Sequence, residues 1–185
     1  DHQAAEVAFR QPSGRRRVER GIALGQGEAA VARQRGTGGQ GDLLQGLGSS
    51  WARVTSGVGV EIFYQPSKHE LLGAWPHTFD TYHGYLTAEL KHRASGVTYN
   101  YCSAHLLPRK TSSEEGRRKQ FGQITDLMAD WKDPTILVGD FNTESIPTWG
   151  KAAGYSVHPL PEGTCGGAKY DWAMVKNGAT LPRLQ

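Results

Sequence analysis

A carboxylate and an amide stand two residues apart in Gly139-Asp140-Phe141-Asn142, directly after the apolar run Thr135-Ile136-Leu137-Val138. A short run of this kind reads as a strand buried on both faces. Alternate side chains of an extended segment point the same way, so Asp140 and Asn142 face one site while Phe141 packs inward. Gly139 lets the backbone bend where the strand leaves its sheet. This pairing suits phosphoester hydrolysis. The carboxylate can orient and deprotonate a water, and the amide can donate to a phosphate oxygen as charge builds there. The same four residues also fit a chemically idle Asp/Asn turn at a strand end.

The surrounding elements must bring partners to that strand end. Val58, Val60, Ile62 and Tyr64 alternate with Gly59, Glu61 and Phe63 and predict a strand, with His69–Leu72 returning as a second. Tyr85–Leu90 and Thr98–Ala104 predict a hairpin turned at Arg93–Gly96. His105 stands at the end of its second arm. Either Thr111 with Glu114 or Ser112 with Glu115 can form a capping box. The helix that follows carries Phe121, Ile124, Leu127, Met128 and Trp131 on one stripe, with Arg117-Arg118-Lys119 read as its solvated face. Ile146–Ala153 predicts a brief helix closed by Gly154. Tyr170–Val175 predicts a strand ended by the turn signal Asn177-Gly178. Trp149 and Tyr155 are read as core, and Arg109 and Lys110 as a loop that is either solvated or in contact with phosphate.

Thr135–Asn142 as a whole resembles the central motif of the endonuclease/exonuclease/phosphatase superfamily. Tyr101-Cys102-Ser103-Ala104-His105-Leu106 is similar to that family's strand ending in a catalytic histidine. Tyr170-Asp171-Trp172-Ala173-Met174-Val175 is similar to its strand with an Asp beside the scissile phosphate, and Gly57–Tyr64 resembles a core strand. The order and spacing of all four agree with the family over about residues 50–175. The resemblance implies an α/β fold, a four-layer sandwich of two mixed β-sheets flanked by helices. It also implies roles: His105 stabilises or protonates the phosphoryl group, Asp140 orients the attacking water, Asn142 holds the phosphate, and Asp171 supports the histidine and the transition state.

Two parts of the family pattern depart from their usual form. The family's N-terminal metal-binding Glu finds its nearest counterpart in Glu28, within Ala23-Leu24-Gly25-Gln26-Gly27-Glu28-Ala29; as a residue alone, Glu28 also fits an exposed position opening a helical turn over Glu28–Gln34. The family's closing Ser-Asp-His has no counterpart in residues 176–185, which hold neither Asp nor His. Asp1-His2, ahead of Gln3–Phe9, resembles that strand at the wrong end of the chain. A circular permutation, or segments assembled out of order, would account for both ends and would place residues 1–9 near His105.

Composition divides the chain. Residues 1–50 hold most of the Arg, Gln and Gly excess, including Arg15-Arg16-Arg17 and Arg20, and read as a solvated arm followed by a short capped helix at Asp42–Leu47. Residues 51–185 are expected to form the endonuclease/exonuclease/phosphatase-like domain. No apolar run reaches the roughly 20 residues of a membrane span. The polar, Met-less opening reads as that of a fragment or processed form. Two cysteines, Cys102 and Cys165, are too few for a disulfide framework and are expected as free thiols.

The net charge of +3 permits a polyanionic partner without demanding one. Two carboxylates and a phosphodiester at ~5 Å repel by several kcal/mol per pair at intermediate dielectric. Mg²⁺ or Mn²⁺ offsets that repulsion, and either prefers oxygen ligands. The sequence therefore points to a metal-dependent hydrolase of phosphodiester bonds in a monomeric chain, with DNA as first substrate. A phosphate-ester small molecule or a phospholipid is the alternative within the same fold. A catalytically impaired remnant that binds nucleic acid or protein is the alternative outside it.

Overall fold

A computed structural model describes residues 21–24, 29–33, 48–159 and 168–181 of the chain. The strands are β1 (Gly21–Leu24), β2 (Ala29–Arg33), β3 (Ala52–Thr55), β4 (Val60–Tyr64), β5 (His69–Thr78), β6 (Gly84–His92) and β7 (Thr98–His105). Helix α1 (Glu114–Leu127) precedes β8 (Thr135–Asp140), and α2 (Ile146–Ala152) precedes β9 (Ser156–Pro159) and β10 (Asp171–Lys176). These strands form two sheets. One is antiparallel, in the order β1-β2-β4-β3; the other is mixed, in the order β5-β6-β7-β8-β10-β9. In the six-stranded sheet only β7 and β8 run parallel, joined by α1 as the crossover a parallel pair requires.

Two apolar clusters fix the layers. Val60 and Ile62 of β4 pack with Leu86, Ala88, Tyr101, Ile136, Val138 and Val175, on one face of the larger sheet. Phe121, Ile124 and Met128 pack with Cys102, Leu137, Phe141, Trp172 and Met174 on its other face. The larger sheet is therefore covered on both sides, which is why β8 is buried at every residue. The expected α/β sandwich of two sheets is present; among the described residues the helices lie against the larger, mixed sheet, and the smaller sheet is antiparallel. The helix expected at Asp42–Leu47 falls outside the described residues.

Several local expectations change. Residues 29–33 form a strand rather than a helical turn: Ala-rich sequence favours helix, but pairing with β4 from Ala29↔Tyr64 to Arg33↔Val60 overrides a propensity of a few tenths of a kcal/mol per residue. This strand also ties residues before position 50 to those after it. Strand β5 continues to Thr78, beyond the expected Leu72, with a register shift between Leu71 and Gly73. It tolerates Pro76 because it lies at the sheet edge, where a missing N–H breaks no ladder.

Helix α1 is capped by neither expected pair. Ser113 is the N-cap, its hydroxyl accepting from the Gly116 N–H at 3.0 Å. Arg117 is buried, not solvated, because spacing to Phe121, Ile124 and Met128 makes it the first member of the inward stripe. Leu127, at that stripe's margin, is exposed instead. The turn after β10 has positive φ at both Asn177 (56°) and Gly178 (79°), the conformation this dipeptide favours.

Candidate active site

The ends of three adjacent strands bring the sequence-predicted residues together. Strands β7 and β8 are parallel with His105 opposite Asp140, and β10 is antiparallel to β8 with Asp171 opposite Asp140. Residues directly opposite on neighbouring strands share a face. His105, Asp140 and Asp171 therefore form one row across the sheet, with Asp140 in the middle. The row lies at the carboxyl ends of the parallel pair, where crossover connections leave a crevice. His105 and Asp171 are partly exposed, whereas Asp140 is fully covered in this conformation.

Asn142 completes the group by a change of backbone direction. Its φ is +51°, in the left-handed region that Asn enters more readily than most residues. Its backbone N–H donates to Asp140 Oδ1 at 2.8 Å, and its side-chain Nδ2 donates to the Leu106 carbonyl at 2.8 Å. Phe141 turns to the opposite side, fully buried, its ring edge-on to Phe121 at 5.9 Å. The expected inward packing of Phe141 is present, whereas Asn142 reaches the Asp140 side by a left-handed turn and not by continued extension. Gly139 is required for another reason besides bending: its φ is +156°, and a Cβ there would meet the Ala104 carbonyl oxygen at 1.9 Å.

The loop after Asn142 is tied down from both sides. Trp172 Nε1 donates to the Thr143 carbonyl at 3.1 Å. Glu114 Oε1 accepts from the hydroxyls of Thr143 at 2.5 Å and Ser145 at 2.6 Å, while its Oε2 accepts from Arg117 at 2.6 Å. Burial works to raise the Glu114 pKa. Hydrogen bonds from Ser145, Thr143 and Arg117, with the guanidinium charge, outweigh it and bring the carboxyl down to about 2. A helix-capping motif gave no hint of this use of Glu114. A cavity of about 490 Å³ opens beside the loop, lined among others by Arg109, Ser112, Arg117 and Glu144. None of His105, Asp140, Asn142 or Asp171 lines it. Arg109 reaches across to the Tyr170 hydroxyl at 3.3 Å, next to Asp171.

A second imidazole borders His105. His83 immediately precedes β6, whose first residue Gly84 is opposite His105. The two rings lie 4.3 Å apart, tilted by 55°. The sequence carried only one signal for it, an Asp80 three residues before the His. Trp149 and Tyr155 pack in the core cluster as expected.

The fit to a divalent cation rests on the donor set. Asp140 and Asp171 offer hard carboxylate oxygens on opposed positions of one sheet face. Among the described residues no group of three or more His, Cys, Asp or Glu side chains is placed to hold a metal. Two carboxylates are the donor type that Mg²⁺ takes, since it keeps several waters and binds through one or two of them. Glu28 and Asp1-His2, the other expected contributors, lie outside the described residues. No helix among the described residues is long and apolar enough to cross a membrane.

No protein-family model matches the sequence, and no curated protein matches it. Solved structures do. The catalytic domain of human Nocturnin, determined with a bound sulfate, superposes with a TM-score of 0.59 at 18% identity, over 73% of this chain and 64% of that one. A mannosyl-6-phosphatase from Bacteroides thetaiotaomicron gives 0.53 at 13% identity, over 70% and 64%. TDP2 from D. rerio, complexed with a single-strand DNA product, gives 0.51 at 16% identity, over 71% and 63%. Structures named for the endonuclease/exonuclease/phosphatase family match as well. The chain has the fold of that superfamily, and it spans just under two thirds of the length of these three structures.

Proposed function

We propose that this chain hydrolyses phosphodiester bonds with the help of a divalent cation, and that DNA is its substrate. The observation that carries the reading is the row His105–Asp140–Asp171 across β7, β8 and β10, with Asn142 folded back onto it. Three motifs far apart in sequence converge there in the order the resemblance implies. A fold shared with a sulfate-bound catalytic domain, a sugar phosphatase and a DNA-product complex supports phosphoester chemistry as the common denominator.

In this reading Asp140 orients the attacking water and accepts its proton, which requires a water to enter beside its second oxygen. One Asn142 amide hydrogen is used on Leu106, leaving the other for a phosphate oxygen. His105 donates to the phosphoryl group, and Asp171 supports it and the cation. When bound, Mg²⁺ supplies charge neutralisation and polarises the phosphoryl oxygen. Asp140 and Asp171 would hold it, with Glu28 as a third candidate.

DNA is favoured over other esters by the net positive charge and by the DNA-product complex among the structural matches. The phosphatase match favours a phosphomonoester as the second reading. Incubation with supercoiled plasmid, and separately with mannose 6-phosphate, in Mg²⁺ or in chelator, separates the two. Metal-dependent nicking without phosphate release supports the nuclease. Phosphate release without nicking supports the phosphatase, and neither activity from folded protein rejects both.

A further inference from the structure

The imidazole beside His105 is held more tightly than a surface loop residue needs to be. Residues 79–83 connect β5 to β6, and the Phe79 and Asp80 N–H groups both donate to the His83 carbonyl, at 2.8 and 3.2 Å. Asp80 Oδ1 then accepts the backbone N–H groups of Tyr82 and His83, each at 2.7 Å. The same carboxylate receives His83 Nδ1 at 2.8 Å from Oδ1 and 3.0 Å from Oδ2. Partial burial acts to raise the Asp80 pKa, but these backbone and ring bonds hold it below its usual value. A carboxylate kept ionised in this way fixes the tautomer and orientation of its histidine partner.

With Nδ1 turned to Asp80, Nε2 lies on the opposite edge of the ring. No described residue is hydrogen-bonded to Nε2, and the side chain is 15% exposed. The ring lies against His105, one strand from the Asp140–Asp171 pair. Three features thus coincide: an ordered loop, a carboxylate-braced imidazole and contact with the candidate catalytic histidine.

We propose that His83 is a second histidine of the phosphate site that gives its Nε2 proton to the departing oxygen, with Asp80 as its positioning residue. The proposal rests on the phosphoester-hydrolase reading and assigns a residue that reading leaves idle. The imidazolium form carries hydrogen on both nitrogens, Nδ1–H donating to Asp80 and Nε2–H facing the ester. As the water oxygen bonds to phosphorus, the bond from phosphorus to the leaving oxygen breaks and its electron pair stays with that oxygen. The leaving oxygen takes the Nε2 proton and departs as an alcohol, while the water proton goes to Asp140. Asp140 releases its proton to solvent and neutral His83 takes one up, which restores both groups. Water and diester become monoester and alcohol, with no other reactant consumed.

Leaving-group dependence tests this. The p-nitrophenyl ester of thymidine 5′-phosphate expels a stable phenolate without a proton, whereas a thymidine dinucleotide must expel an alkoxide. His83→Ala and the better-sized His83→Gln should lower kcat on the dinucleotide by about 100-fold or more, and stay within about threefold on the nitrophenyl ester. Asp80→Asn should show the same asymmetry with a smaller loss, in variants whose circular dichroism matches wild type. Equal losses on both esters, or no loss on the dinucleotide, would overturn the role of His83 and leave the hydrolase reading standing. A folded wild-type chain inactive on both esters would overturn the hydrolase reading and this role with it.

Discussion

Gly139 and Ala104 sit so close across the β7–β8 pair that a side chain on the glycine would fall 1.9 Å from the Ala104 carbonyl oxygen. The clash is with backbone of the paired strand, near the carboxyl ends of β7 and β8, so no rotamer change relieves it. Gly139→Ala should therefore destabilise the fold by about 3 kcal/mol or more, at the upper end of overpacking effects. Urea denaturation of the two proteins measures it. A cost under about 1 kcal/mol would mean that β7 and β8 can separate without breaking their ladder.

Asn142 combines a left-handed backbone with a buried side-chain hydrogen bond. Asn142→Gly should remove the backbone cost and retain the loss of the bond to Leu106, whereas Asn142→Ala should carry both penalties. The alanine variant is expected to be less stable than the glycine variant by about 1 kcal/mol, from its poorer access to positive φ. Both should lose about 100-fold or more in turnover of a phosphodiester, since both remove the donor aimed at phosphate. Thermal melts and steady-state kinetics separate the two effects. Equal stability of the two variants would contradict the conformational argument.

The Glu114 network gives a pH signature. Its folded-state pKa of about 2 lies below the ordinary value of 4.5. A depressed carboxyl pKa contributes stability that is fully present above the unfolded value and is lost as pH falls through the folded one. The difference in Tm between wild type and Glu114→Gln should therefore be largest above pH 4.5 and shrink toward pH 2. A difference that does not change over that interval would show that the bonds to Thr143, Ser145 and Arg117 do not depend on the charge.

Cys102 is fully buried, and burial pushes its thiol well above the ordinary range. A thiol that is neither ionised nor exposed reacts slowly. In a Cys165→Ser background, Cys102 should resist a thiol-exchange reagent at pH 8 and react promptly once denaturant is added. Rapid labelling of the native protein would place the β7–β8 core open on the labelling timescale.

The parts of this molecule that were legible in its sequence are those where one physical signal dominates. Thr135–Asp140 combines an apolar run and a glycine and forms the buried strand that pattern predicts, with Phe141 packed inward beyond it. Asn177-Gly178 and the alternation in β4 were equally plain. Residue type alone sends Arg117 to solvent, but its distance from Phe121, Ile124 and Met128 puts it on the inner stripe, and bonds to Glu114 and the Ser112 carbonyl make its burial tolerable. Glu114 reads as a helix-start residue, and nothing local shows that its carboxylate would be drawn to residues 29 and 31 positions away. The contact of His83 with His105, 22 residues along the chain, is set by sheet register and leaves no local pattern in the sequence. Residues 29–33 form a strand against the helical preference of alanine because pairing with β4 decides otherwise.

The central claim is that strand register makes His105 and Asp171 parts of one phosphate site. The most direct measurement is kcat/KM for a phosphodiester in wild type, His105→Ala, Asp171→Asn and the double variant. Residues acting on one transition state are strongly non-additive. Each single change should cost about 100-fold or more, and the double variant should be little worse than the more damaging single one. Losses that multiply across the double variant, or single variants that keep wild-type rates, would contradict the account.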